Sequence, residues 1–320
     1  EIGSGLVGSE MCIRDRYTFQ RDSINPEVQV PAYTAIAAAA VLSDEIYSRV
    51  LSDADSYFNA DTSRDKVKPF VKVFSADDDL DLKNISGGKS KFYGVIAGAE
   101  TSPQVSASGW KSVYNAYLAY ARGDHKFAWQ KINQESGYIG ASSIFYKDSF
   151  FIGSTINAAI MENKNKETGD KNKFTSRLAG IGLKGGYNIG LGSDYILQPN
   201  IYGSYTYIHS NDYKTRRQAD VKFGDMSNIE LAPGVKLSKK FEEGLEVYVK
   251  GRYVFVFNEG QDVRANGIAL ADVELKNYAE IGLGLSKIWP EKDAILSLEV
   301  NRREGGRDGW NSLVSAKLEW

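Results

Sequence analysis

The chain has 320 residues, enough for one large domain or two of ordinary size. Its formal net charge is −2, from 39 Lys and Arg against 41 Asp and Glu, which leaves no basic footprint for nucleic acid as a partner. Hydrophobic residues are 42% of the chain. The longest apolar run is Ala35 to Leu42, far short of the roughly 18 residues a membrane helix needs, so a helical membrane protein is excluded.

Residues 1–16 show neither a helical nor a strand period, and Leu6 to Arg16 resembles a translated sequencing adapter. This segment is expected to be foreign to the native gene and is set aside from fold reasoning. It carries Cys12, the single cysteine, so the remainder is cysteine-free, which suits an exported protein. Residues 17–31 are polar, contain Pro26 and Pro31, and read as extended linker. A helix is expected over 32–51, with its own linker running to residue 58. Ala35 and Ala37 to Ala40 are the strongest helix formers, and Ser43, Asp44, Glu45, Ser48 and Arg49 supply a polar side. Twenty helical residues span about 30 Å, the thickness of a bilayer core, but this helix is too polar to face lipid.

From residue 64 onward the chain reads as one all-β domain, 64–320. Twelve strands are expected, at about 66–75, 90–100, 110–122, 136–147, 149–161, 174–189, 194–209, 226–240, 244–258, 275–289, 293–303 and 310–320. Several alternate cleanly, for example Leu245, Val247, Val249, Tyr253 and Phe255 against Glu246, Lys250 and Arg252. Such lengths exceed the five or six residues usual in soluble sheets. The last strand carries Trp310, Val314, Ala316, Leu318 and Trp320 on one face and Asn311, Ser315, Lys317 and Glu319 on the other. Connections alternate between short (around 148, 191, 241 and 291) and long and charged (162–173, 210–225 and 259–274). A transmembrane β-barrel has short turns at one end and long loops at the other. Polar residues on the inward faces of such a barrel would be Glu246, Lys250, Arg252, Lys276, Glu280, Glu299 and Lys317, which a wet lumen tolerates.

Residue patterns that could carry chemistry have plainer explanations. His209 and Ser210 are neighbours, so on a strand they point to opposite faces and cannot pair as base and nucleophile. Arg122-Gly123-Asp124 reads as a turn after the third strand. Asp77, Asp79 and Asp81 have calcium-loop spacing, but Leu82 and Gly88 occupy the positions where that loop requires Gly and Glu. A solvated acidic loop is expected there. No catalytic residue, metal site or cofactor is expected.

The order of these features resembles the translocator domain of autotransporters, the type V secretion family, over about residues 24–320. The resemblance rests on Asn25-Pro26-Glu27-Val28 ahead of the Ala-rich helix and on Ser136-Gly137-Tyr138-Ile139-Gly140-Ala141-Ser142. It rests further on Phe150-Phe151-Ile152-Gly153, on Tyr278-Ala279-Glu280-Ile281-Gly282-Leu283-Gly284, and on Gly305-Gly306-Arg307-Asp308-Gly309-Trp310. It implies a twelve-stranded antiparallel transmembrane barrel with the N-terminal helix threaded through its lumen, anchored in the outer membrane lipid of a Gram-negative cell. It implies a passenger in cis, ahead of the helix and facing the cell surface, and no enzyme activity in the barrel. It also implies the β-barrel assembly machinery as a partner, reading Val314, Ala316, Leu318 and Trp320 as a signal. Some members cut themselves at an Asn-Asn pair before the helix. This chain has none, so its passenger is expected to stay attached. The alternative is a diffusion pore without a passenger, in which a lumen-sized helix would be superfluous.

Overall fold

A computed structural model describes residues 26–54, 67–83, 87–127, 130–165, 173–214, 220–260, 262–269, 274–289 and 294–318. Residues 1–16, most of the expected 17–31 linker, and Trp320 lie outside them.

Twelve long strands form the wall. They are β1 (Val67–Leu80), β2 (Gly88–Thr101), β3 (Lys111–Phe127), β4 (Gln130–Lys147), β5 (Phe150–Asn165), β6 (Lys173–Tyr187), β7 (Tyr195–Ser210), β8 (Met226–Lys240), β9 (Leu245–Glu259), β10 (Tyr278–Trp289), β11 (Ala294–Gly305) and β12 (Arg307–Leu318). Each pairs antiparallel with its sequence neighbours, and β1 pairs with β12 from Phe70↔Lys317 to Leu80↔Arg307. The sheet therefore closes on itself and leaves no edge.

Period-2 alternation sorts the side chains. Along β1, Phe70, Lys72, Phe74, Ala76, Asp78 and Leu80 are buried in the interior, while Val71, Val73, Ser75, Asp77 and Asp79 point out. The exterior is apolar: Leu118, Ile139 and Leu283 are 62%, 63% and 67% exposed, within a continuous band of similar residues. Water does not sustain an apolar surface of that extent, whereas lipid does. Aromatic residues rim the band, with Tyr93, Tyr120, Tyr253 and Trp310 toward one end and Phe150, Tyr187, Phe241 and Trp289 toward the other.

Several strands run further than their sequence patterns suggest. Arg122-Gly123-Asp124 is not a turn. It lies inside β3, in register with Glu135, Gln134 and Asn133 of β4. The inward residues Ala121, His125 and Phe127 keep the strand period going past the polar residues, which stand outward. Likewise Asp77 and Asp79 are outward residues of β1, not loop residues, because Ala76, Asp78 and Leu80 continue its inward face. The alternation of short and long connections also holds only in part. Loops 211–225 and 260–277 are long, but at the same end β3 and β4 are joined through 128–129, and β11 and β12 through Gly306 alone. Gly305 adopts a φ of 110°, and a Cβ on Gly306 would lie 2.1 Å from the Lys276 carbonyl oxygen, so this tight corner requires both glycines. The long loops build a small sheet from segments 213–214, 220–223, 263–265 and 268–269.

Inside runs α1 (Pro26–Val50), which starts before the expected residue 32. Pro26 is compatible with a first helical position, where an amide would have no partner. Twenty-five residues span about 37 Å. From Ala35 to Tyr47 every residue is buried, on all faces of the helix. Only an enclosing wall produces that pattern.

Candidate functional site: the helix in the lumen

The interior is the site, and it has three levels. At the outer level α1 presents small apolar residues, Ala35, Ile36, Ala39 and Ala40. They pack among Phe74, Phe92, Phe127, Ile132, Met161 and Phe174, joined by Val221 and Val263 of the small sheet. A polar chain crosses this collar. The Gln134 amide donates to the Ala35 carbonyl and to Asn163 Oδ1, both at 2.8 Å. Its Oε1 therefore accepts from Nε2–H of His125 at 3.0 Å, and His125 Nδ1 accepts from the Ser90 hydroxyl at 2.9 Å. His125 is thus held as a neutral structural imidazole.

The middle level is ionic. Glu45 of α1 accepts from Arg49 at 2.5 Å, from Arg303 of β11 at 2.7 Å and from Arg307 of β12 at 3.2 Å. Arg303 also donates to Asp78 of β1 at 2.8 Å and to Glu280 of β10 at 2.9 Å. Arg307 joins Asp78 at 2.7 Å, and Arg252 of β9 joins Glu280 at 2.9 Å. Arg49 reaches Glu299 of β11 at 3.0 Å and also bonds Asn311; Lys250 and Tyr248 meet Glu299 at 2.7 and 3.0 Å. Asp44 accepts from Tyr202 at 2.7 Å and Ser204 at 2.9 Å, Ser48 from Arg252 at 3.3 Å, and Ser43 contacts Tyr138 at 3.4 Å. Burying charges is costly unless each is paired and bonded. Here Glu45, Asp78, Glu280 and Glu299 each have at least two donors from different elements, and Asp44 has two from β7. That geometry selects one rotation and depth of α1, since sliding by a residue would strand several charges at once.

The inner level holds the helix end. Lys72 of β1 donates to the carbonyls of Arg49 and Val50 at 2.8 and 3.2 Å and to Asp53 at 2.8 Å. Lys317 of β12 pairs with Asp53 at 2.6 Å and with Glu100 of β2 at 3.0 Å. A cation at the unsatisfied C-terminal carbonyls is the favourable arrangement for a helix end. Beyond it the lumen widens into a cavity of about 350 Å³, lined by Ser52, Gln198, Lys236, Ser286 and Ser315 among others. The ring of Tyr47 fits a notch at Gly180 and Gly182 of β6; a Cβ on Gly180 would lie 2.2 Å from its hydroxyl.

Of the inward polar residues expected from sequence, Lys250, Arg252, Glu280 and Glu299 gather in the middle network. Lys317 sits at the helix end, and Glu246 pairs with Lys236 near the inner mouth at 3.2 Å. Lys276 does not face the lumen. It stands ahead of β10, at the rim, bonded to Asp81 at 2.7 Å, because β10 begins only at Tyr278. On α1, Ser43, Asp44, Ser48 and Arg49 all meet the wall. Val314, Ala316 and Leu318 point outward on β12. Sequence reasoning placed Glu45 on the polar side of the helix without assigning it a partner, and missed Lys72, Asp78, Arg303 and Arg307. Arg303 shares the parity of Glu299 and was readable; Asp78 and Arg307 fell beyond the expected strand ends.

A closed barrel with an apolar exterior and a helix bound by buried ion pairs along its axis defines a transmembrane β-barrel with an occupied lumen. The chain belongs to the autotransporter β-domain family, whose model matches residues 70–300. Family and fold together imply the outer membrane of a Gram-negative cell. The chain is similar to the pertactin autotransporters of Bordetella parapertussis and Bordetella bronchiseptica. Each is 23% identical over 218 residues, 64% of this chain but only 23% and 24% of those proteins, so the chain matches about a quarter of their length. Among solved structures, the translocator domain of NalP from Neisseria meningitidis superposes with a TM-score of 0.68 at 11% identity, over 90% of this chain and 98% of that one. The β-domain of the Bordetella autotransporter BrkA gives 0.66 at 13% identity, over 80% and 100%. The transport unit of AIDA-I from Escherichia coli gives 0.64 at 13%, over 85% and 96%. At these identities the likeness is one of fold.

Proposed function

We propose that this chain is the translocator and anchor of an autotransporter, which assists export of an N-terminal passenger to the cell surface and then holds it there. The observation that carries this reading is the path of α1. In a barrel with an even number of strands both ends of the wall lie on one side of the membrane, the periplasmic side. The C-terminal end of α1 is bound at that side by Lys72 and Lys317, so its N-terminal end opens toward the exterior. Whatever precedes α1 is thereby carried outside. On this reading the residues ahead of α1 are the end of the passenger, Val314, Ala316, Leu318 and Trp320 form the assembly signal, and the machinery that inserts barrels is the partner. Without an Asn-Asn pair before the helix, passenger and barrel stay on one polypeptide.

The test is a reporter fused ahead of residue 17 and expressed in a Gram-negative host. Protease added to intact cells should remove the reporter while the barrel is protected, and an untreated sample should show one long species. A reporter that stays protected while the barrel is folded in the membrane would overturn the proposal. The open-pore alternative is tested by removing residues 26–51. The remaining barrel should conduct far better in planar bilayers than the intact chain, whereas equal conductance would favour the pore.

A further inference from the structure

On the outer face of the barrel three lysines from neighbouring strands stand in one row. Lys89 of β2 is in register with Lys126 of β3, and Lys126 with Lys131 of β4. Lys89 and Lys126 are exposed and Lys131 is half-buried, and all three point away from the lumen. Like charges directly opposite one another across a ladder are destabilising. Asp79 of β1 stands opposite Lys89, whereas Lys126 has a lysine opposite it on each side. Lys89 and Lys126 have no ion-pair partner among the described residues, and Lys131 comes no closer than 3.9 Å to Asp124. The row nearer the membrane differs: there Lys91 is neutralised by Asp77 at 2.5 Å, and Asp124 accepts from Asn133. From β1 to β4 the upper row therefore sets three lysines against the one carboxylate of Asp79.

The same strands carry an apolar belt below it, with Val95, Leu118 and Ile139 exposed, topped by Tyr93 and Tyr120. Lys126 lies six residues beyond Tyr120. That is about 20 Å along the strand and about 15 Å along the membrane normal for a strand tilted about 40°; Lys89, four residues from Tyr93, stands about 10 Å above its own aromatic. The phosphate of an ordinary phospholipid sits at the level of the aromatic belt. It is too low to reach the row. An anion at that height must be carried on a headgroup that stands well clear of the acyl layer.

We propose that the row Lys89, Lys126 and Lys131 binds phosphates on the extended headgroup of a phosphorylated glycolipid in the outer leaflet, whose acyl chains lie against Val95, Leu118 and Ile139. The proposal rests on the membrane reading of the barrel. It goes beyond the translocator role by assigning a specific lipid contact to one sector of the wall.

The test uses the full-length folded protein in detergent, titrated separately with lipopolysaccharide, with the same material after enzymatic dephosphorylation, and with phosphatidylglycerol. The expected result is at least tenfold tighter binding of intact lipopolysaccharide than of the other two, weakening as salt is raised. The variant carrying Lys89→Gln, Lys126→Gln and Lys131→Gln should lose that preference, and Lys126→Gln alone should lose at least half of it. Lys222→Gln, on the small outer sheet, should keep it. Equal binding of the phosphorylated and dephosphorylated forms, equal binding of phosphatidylglycerol, or an undiminished preference in the triple variant would each overturn the proposal. Heat-modifiable mobility of every sample reports folding independently, so a barrel that fails to fold or insert counts against the membrane reading and not against the lysine row.

Discussion

Arg303 is the residue on which the lock between helix and wall most depends. Its side chain is fully buried, and its three nitrogens reach carboxylates on three elements: Glu45 of α1, Asp78 of β1 and Glu280 of β10. Arg303→Met keeps much of the volume and removes all three pairs. Breaking a buried pair by removing one partner costs about 3–5 kcal/mol, because the other charge is left uncompensated. Here each stranded carboxylate retains a second donor: Arg49 for Glu45, Arg307 for Asp78 and Arg252 for Glu280. The expected cost is therefore near the lower bound, about 3 kcal/mol, or about two orders of magnitude in the unfolding equilibrium. Urea unfolding of the barrel in lipid vesicles, followed by tryptophan fluorescence, measures it. Glu45→Gln in the same background removes one of the stranded charges, so the double variant should be less destabilised than the two single changes sum to, by about 0.5–3 kcal/mol. A loss below about 1 kcal/mol for Arg303→Met, or strict additivity with Glu45→Gln, would refute the idea that these charges act as one bonded unit.

Other predictions follow from single contacts. Gly180→Val places side-chain atoms where the Tyr47 hydroxyl and the Tyr205 carbonyl now sit, so α1 should be displaced and ion conductance in planar bilayers should rise; unchanged conductance would show that the notch does not seat the helix. Leu318→Asp puts a charge on the lipid face, at a cost of at most about 2–4 kcal/mol and less near the interface. If β12 also carries the assembly signal, the folded yield by heat-modifiable mobility should fall further than that cost accounts for, and a normal yield would argue against the signal. Hydrogen bonds from Tyr207 and His209 hold the Asp225 carboxyl, which anchors the loop before β8, below the usual carboxylate range. A depressed carboxylate contributes stability above its unfolded pKa of about 3.9 and loses it as pH falls through the folded value. Protection of the amides around 220–225, with the intrinsic pH dependence of exchange divided out, should therefore fall on acidification below about pH 4, and protection unchanged down to about pH 3 would assign the loop anchor to another group.

The sequence alone determined the wall. Alternation with a period of two needs no knowledge of partners, so strands such as β5, β8 and β9 were readable to within a residue or two at most of their ends. The inward placement of Lys250, Arg252, Glu280 and Glu299 followed from the same parity. The Ala-rich helix was equally legible, because a run of strong helix formers on a segment too polar for lipid and too small to fold alone must be enclosed by something else. What only the tertiary structure decided was where patterns stop and which charges meet. β1 and β3 run past Asp77 and Arg122 because residues outside the bilayer can be polar on the outward face while the inward face goes on packing against α1. The meeting of Glu45 with Arg303 and Arg307, across more than 250 positions of sequence, depends on how far α1 is threaded and how it is rotated. Neither quantity is set by local propensity or periodicity. Both are set by where the closed wall places the donors for Glu45 and Glu299 and the carboxylates for Arg49, since a buried charge without a partner is costly.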